Sequence, residues 1–387
     1  MAESELALVL TGGGARAAYQ VGLLKGIAER FPELDVPILT GVSAGAINAV
    51  HLAAHPGSFE EATEDLARHW SGLSPEQVFR VDLRSLGRNV ARWGVRLFSG
   101  GARGAPQVQG LVDTEPLRQF MRRALRADEG PIHGIAERLR SGRLKAVAVI
   151  TTSYSTGQTV VWVQGRDIEL WERPRRRRRQ TRLTVEHAMA SAALPLFFPA
   201  VRLGNEWYGD GGIRLAAPLS PALHLGASRI LAVSTRYDRT TGEADRPSIV
   251  RYPPPAQVAG LLMNAIFLDL IDQDAVRLER MNRLIEQLPE ERREGLRVVD
   301  LMVLRPSRDL GRLARDYEPK LPKGFRFLTR GLGTRETESP DALSLIMFQE
   351  DYLRRLIELG REDAHARADE IGAFLAGERF APAGGVA

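Results

Sequence analysis

No cysteine occurs in the 387 residues, so disulfides, thiolate metal sites and cysteine nucleophiles are excluded. That usage fits a reducing compartment. Long apolar runs are missing too. None approaches the ~20 residues that cross a bilayer, so the chain is expected to meet a membrane only at its surface. The opening Met-Ala-Glu-Ser-Glu has no basic n-region, and the apolar residues after it read as a first strand, not a signal peptide. Lysine is scarce, with only Lys25, Lys145, Lys320 and Lys323, so arginine carries nearly all the positive charge. The balance of 53 basic against 48 acidic residues leaves +5, compatible with an anionic lipid surface without requiring one. The expectation is a cytoplasmic protein able to lie against the inner face of the membrane.

What is present is an alternation of short β-branched runs with helical patterns over the first 235 residues, the mark of an α/β fold with a largely parallel sheet. Strands are predicted at Leu6–Thr11, Val36–Thr40, Leu144–Thr151, Thr159–Val163 and Arg229–Ser234, and helices at Ala15–Arg30, Ala44–Ala54, Glu115–Arg126 and Val185–Ala193. Residues 59–140 offer no strong strand and read as a helical cap insertion. A proline-rich stretch ending at Pro253-Pro254-Pro255 marks a boundary. This divides the chain into a catalytic core, 1–240, and a mainly helical region, 241–387. In the latter, Val258–Leu288, Pro340–Leu359 and Asp363–Ala376 read as helices, and Leu296–Leu304 as one more strand of the sheet.

Three motifs carry chemistry. Gly41-Val42-Ser43-Ala44-Gly45 lies between a predicted strand and a predicted helix, the context a nucleophile elbow requires. The sharp turn projects the serine hydroxyl from the sheet edge, and the helix N-terminus favours a developing alkoxide. Thr11-Gly12-Gly13-Gly14-Ala15-Arg16 follows the first strand, where successive backbone N–H groups can converge on an oxyanion. Arg16 either anchors this loop or faces a phosphate. Gly12, Gly14 and Ala17 also fit a dinucleotide fingerprint. That reading needs an acid at the end of the second strand, where this chain has the serine elbow instead. The third motif, Trp207-Tyr208-Gly209-Asp210-Gly211-Gly212, sets a carboxylate among glycines at a turn.

With the segment Ala190-Ser191-Ala192-Ala193-Leu194-Pro195-Leu196-Phe197-Phe198-Pro199, these motifs resemble, in order and spacing, the patatin-like phospholipases, over about Leu6–Ala227. The resemblance implies a three-layer α/β fold and a serine lipid acyl hydrolase of phospholipase A, lysophospholipase or esterase type. It implies a Ser43–Asp210 dyad without histidine and an oxyanion hole at Gly12, Gly13 and Gly14. Arg16 falls in the substrate-binding loop, and neither a cofactor nor a metal is expected. Two positions depart from the pattern: Ala17 replaces a glycine common after the arginine, and Ile213–Pro218 lacks the asparagine usual before the proline. Both bear on substrate preference and leave the reacting groups intact. A transacylase or thioesterase with the same dyad, and a non-catalytic lipid-binding adaptor, are the alternatives.

Between Leu83 and Phe98, Leu83, Leu86, Val90, Trp93 and Leu97 share one helical face, while Arg84, Arg88, Arg92 and Arg96 recur on the other. Such a helix packs its apolar face on the core or lies in lipid headgroups, with Arg84, Arg88, Trp93 and Arg96 as the membrane contacts. The run Arg175–Arg179 reads as a solvated loop near the active-site rim, without the aromatic platform of a nucleic-acid binder. His224 and His365 follow Asp210 in the chain but read as structural or exposed. His51 and His55 stand one helical turn apart, with no nearby acid in sequence to complete a metal site.

Overall fold

The computed structural model describes residues 5–80, 110–166, 176–245, 252–267, 270–322 and 341–378, with isolated positions 87, 91, 92, 95, 96, 99, 168 and 326. Arg84, Arg88 and Trp93 therefore lie outside the described residues; Arg96 is described and exposed.

Nine strands form one sheet among the described residues: β1 (Leu6–Leu10), β2 (Ile38–Val42), β3 (Ala146–Ser153), β4 (Thr159–Gly165), β5 (Arg176–Gln180), β6 (Val201–Leu203), β7 (Glu206–Asp210), β8 (Arg229–Val233) and β9 (Asp300–Leu304). Their order is β5-β4-β3-β2-β1-β8-β9, with β7 pairing β3 and β6 pairing β7. The run from β3 through β2, β1 and β8 to β9 is wholly parallel. β4 and β7 both run antiparallel to β3. The described helices of six residues or more are α1 (Ala17–Arg30), α2 (Ala44–Ala54), α3 (Phe59–Ser71), α4 (Glu115–Ala124), α5 (His133–Arg140), α6 (Val185–Ser191), α7 (Pro255–Phe267), α8 (Leu270–Gln287), α9 (Leu310–Tyr317), α10 (Asp341–Ile346), α11 (Glu350–Ala366) and α12 (Ala368–Ala376).

Strand alternation makes the layers. Leu6, Leu8 and Leu10 of β1 point into one core with Leu39, Val147, Val149 and Leu231, which α1, α2, α3 and α11 cover. Ala7 and Val9 point to the other face with Ile38, Val42, Ala148 and Ile230, covered by Leu219, Ala222 and the Ile271 and Leu278 side chains of α8. Both faces of the parallel strands are thus buried, which is why these segments read as continuous apolar runs instead of alternating ones.

Several local readings change. The arginine run is not a loop: Arg176–Gln180 is the edge strand β5, pairing parallel with β4. Arg178 is buried and donates to the Ile168 carbonyl at 3.0 Å, and Arg179 stacks over Trp162. The cations that made the segment look like loop instead blunt a sheet edge. The continuous helical pattern 340–359 is broken after Ile346, with α11 starting at Glu350. The stretch Val258–Leu288 is helical over Pro255–Phe267 (α7) and Leu270–Gln287 (α8), and residues 268–269 lie outside the described residues.

Candidate active site

The glycine loop and the elbow leave adjacent parallel strands at the same end, because β1 and β2 pair in register up to Leu10 and Gly41. Ser43 caps α2 with φ 56° and ψ −134°, a left-handed conformation costly for a residue with a Cβ. Strain of this kind persists only where the surroundings over-determine it. Here the Ser43 N–H donates to Ser191 Oγ at 3.0 Å, and Ser191 Oγ donates to the Ile150 carbonyl at 2.6 Å. The elbow is thereby tied through α6 to β3. On the far side of the turn, a Cβ at Gly45 would strike the carbonyl oxygens of Leu10 and Thr11.

Asp210 reaches this point through strand register. Val42, the last residue of β2, pairs with Ile150 of β3. One position further along β3, Thr151 pairs with Val160 of β4 on one edge and with Asp210 of β7 on the other. A strand residue has only two edges, so β7 occupies the edge that β2 vacates where the chain turns at Ser43. Asp210 is held there by its N–H to the Ala193 carbonyl (3.1 Å) and by Thr152 Oγ1 donating to its carbonyl (2.9 Å).

Its carboxyl is fully buried. Oδ1 accepts the Gly212 N–H at 2.9 Å, and Oδ2 has no hydrogen bond. Burial raises its pKa from 3.8 to about 7, against a smaller lowering by the Ser43 hydroxyl and the Gly212 N–H. The serine is therefore within electrostatic reach of the carboxyl without being locked to it by a fully formed hydrogen bond, as is common before substrate binds.

The loop Gly12–Gly14 closes the third side. Thr235 Oγ1 donates to the Gly12 carbonyl at 2.8 Å and turns that oxygen away from the site. No acceptor among the described residues takes the N–H of Gly12 or Gly13. Gly14 has φ 54°, and a Cβ there would run into the Leu345 carbonyl oxygen. Arg16, buried, donates from Nε to Ser344 Oγ at 2.6 Å and pairs with Asp341, so it fastens α10 to the glycine loop. A second buried chain runs outward from the loop: Gln20 Nε2 donates to the Thr11 carbonyl (2.8 Å), Asn48 Nδ2 to Gln20 Oε1 (3.1 Å) and Trp70 Nε1 to Asn48 Oδ1 (2.8 Å).

An apolar pocket opens from Gly13, Gly14 and Ser43 and runs between α2, α3, α4 and α10, walled by side chains such as Ile47, Leu66, Leu117, Phe120, Leu194 and Ile346. His51 and His69 also line it. His224 is exposed, and His365 sits on α11 with its Nε2 2.9 Å from Glu29, so neither joins Ser43 and Asp210. Sequence reasoning missed the parts played by Ser191 and Thr235. Ser191 lies in a segment that on its own reads as core, and Thr235 follows an ordinary strand. The acid thought to be lacking near His51 also exists: Asp65, on α3, lies 3.4 Å from His51 Nε2.

The fold is that of an α/β domain with a mostly parallel central sheet. The particular family follows from comparison: the patatin-like phospholipase family matches residues 8–223, more than half of the chain, and the chain belongs to that family. Among solved structures it is similar to human GIVD cytosolic phospholipase A2, at 12% identity over 97% of this chain and 62% of that one, TM-score 0.46. It is also similar to VipD from Legionella pneumophila, at 14% identity over 92% of this chain and 67% of that one, TM-score 0.34. A third is the type III effector ExoU of Pseudomonas aeruginosa, at 15% identity over 94% of this chain and 53% of that one, TM-score 0.34. The chain thus spans less than two thirds of the human protein's length. No curated protein sequence matches it.

Proposed function

We propose that this chain is a serine lipid acyl hydrolase in which Ser43 is the nucleophile and Asp210 its base. The observation that carries the reading is the register of β7, which sets a buried carboxyl beside the elbow serine at the edge vacated by β2. A serine hydroxyl is a weak nucleophile until a positioned base removes its proton. Asp210 would take that proton as Ser43 Oγ attacks the ester carbonyl. The tetrahedral oxyanion would be held by the N–H groups of Gly12, Gly13 and Gly14, each aimed donor contributing ~3–4 kcal/mol. Collapse expels the alcohol, which receives the proton from Asp210. Water, deprotonated by the same carboxylate, then releases the acid and regenerates Ser43.

The apolar pocket beginning at Ser43 suits an acyl chain, since beyond the reacting groups its lining is mostly aliphatic and aromatic, with His51 and His69 as the titratable exceptions. Arg16 serves in this reading as an anchor for the glycine loop, because its guanidinium is already bonded to Asp341 and Ser344. Peripheral lipid contact is supported by α7, whose Val258, Leu261 and Leu262 are exposed, and which packs on the Gly211–Ile213 turn beside Asp210.

Ser43→Ala and Asp210→Asn should each lower hydrolysis of a chromogenic ester by about 10³-fold or more, while His224→Ala and His365→Ala stay within about twofold. Labelling by a fluorophosphonate probe should vanish in Ser43→Ala. Retention of most activity in Asp210→Asn would overturn the dyad. Absence of labelling in the folded wild-type protein would point to a lipid-binding adaptor instead.

A further inference from the structure

We propose that His51, Asp65 and His69 form a site for one zinc-like divalent transition-metal ion beside the apolar pocket, which His51 and His69 line. His51 lies eight residues beyond Ser43 in sequence, so roughly 12 Å along α2 at the helical rise. Asp65 and His69 stand on adjoining turns of α3. His51 Nε2 and His69 Nε2 are each 3.4 Å from the same oxygen, Asp65 Oδ2, and the three atoms all lie within 4.8 Å of one another. An ion bonded tetrahedrally at ~2.0–2.2 Å sets its ligands about 3.4 Å apart. Both measured nitrogen–oxygen separations are therefore the edges of such a tetrahedron, and only a modest closure of the two imidazoles completes the face.

The alternative is a hydrogen-bonded cluster, and the geometry speaks against it. An imidazole N–H donating to a carboxylate would stand closer, near 2.8–3.0 Å, and aligned. Instead His51 Nε2 is buried, with its side chain 6% exposed, and has no hydrogen bond. Asp65 is arranged similarly: Oδ1 accepts Arg68 Nη2 at 2.7 Å, and Oδ2 is left for the two histidines. His55, whose ring is 6.0 Å from that of His51, has its Nδ1 occupied by the Gly57 N–H. Phe120 packs edge-on against His69 at 5.6 Å. Two imidazoles and one carboxylate suit zinc, cobalt or nickel and not magnesium or calcium, which prefer oxygen. The ion would clamp α2, which Ser43 caps, to α3, which walls the pocket. This reading is independent of the proposed ester chemistry.

The test uses the full-length protein stripped of metal by a chelator and dialysed. Titration with cobalt(II) should saturate at one ion per chain with the visible absorption of a low-coordinate nitrogen–oxygen site, and zinc should displace it. The Tm should rise with metal concentration. Asp65→Asn and His69→Gln, both at half-buried positions and so tolerant of substitution, should each weaken binding by about tenfold or more and remove the thermal shift. His51→Gln is the stronger variant but removes a buried ring, so the other two decide. No stoichiometric uptake by the wild-type protein, or equal uptake by Asp65→Asn and His69→Gln, would overturn the site.

Discussion

Asp210 carries opposing demands. A base must be ionised to accept the serine proton, yet burial, against smaller lowering by the Ser43 hydroxyl and the Gly212 N–H, raises its pKa from 3.8 to about 7. The sign follows from which state holds the proton more tightly. Between pH 3.8 and about 7 the folded protein binds more protons than the unfolded chain, so stability falls with rising pH across that window. Above it both states are ionised and the dependence is flat. The difference is on the order of 4 kcal/mol, which the packing around β3 and β7 must offset. Two outcomes follow. The kcat/KM for a dissolved ester should rise with a single inflection near pH 7 and fall about tenfold per unit below it. In urea unfolding, the wild-type stability advantage at pH 4 over pH 8 should shrink by a few kcal/mol in Asp210→Asn. A pH-rate profile flat from 5 to 8 would contradict the assignment of Asp210 as the base.

Among the elements, α10 is the one whose placement the site depends on most. Its Leu345 and Ile346 line the pocket, and among the described residues its ionic tie to the glycine loop is Arg16 with Asp341, whose Oδ2 also accepts Asn264 of α7 at 2.8 Å. Breaking a buried pair by removing one partner leaves an uncompensated charge and costs about 3–5 kcal/mol. Arg16→Met should therefore lower urea stability by that order and lower kcat more than a surface arginine change such as Arg355→Met. Equal effects of the two would show that α10 is held by packing alone. This element also marks where the sequence became illegible. The apolar spacing runs on from Asp341 to Leu359, but the Leu345 carbonyl lies where a Gly14 side chain would be, and the chain breaks at Met347–Gln349 to put it there. Local periodicity carries no trace of a contact more than 300 residues away in sequence. The β1 and β2 strands were legible because burial on both faces leaves unbroken apolar runs ending in glycine motifs. The arginine strand β5 was not, since its pairing comes from β4 and not from its own composition. Asp65 was invisible beside His51 for the same reason: fourteen residues separate them in the chain, and only the packing of α3 on α2 joins them.

Under the proposed function, the molecule as a whole must meet an aggregated lipid substrate. No described helix is long and apolar enough to cross a membrane. Helix α7 bears no charged residue, and Leu261 and Leu262 are 61% and 57% exposed. Through α10 and the Gly211–Ile213 turn, that face adjoins both the pocket and Asp210. Transferring one leucine side chain from water to hydrocarbon is worth ~1.5–3 kcal/mol, so two of them account for more than a hundredfold in partitioning. Leu261→Glu with Leu262→Glu should therefore reduce flotation with phosphatidylcholine vesicles by over about tenfold. Turnover of a dissolved short-chain ester should change by less than about twofold. Ionic strength separates this face from the arginine-rich segment around Arg88 and Arg92. Binding through leucines persists in high salt, where the Debye length shrinks to about 3 Å, whereas binding through arginines to anionic vesicles is screened away. Vesicle binding that survives the leucine changes but is lost in salt, or in Arg88→Glu with Arg92→Glu, would move the lipid contact from α7 to that segment.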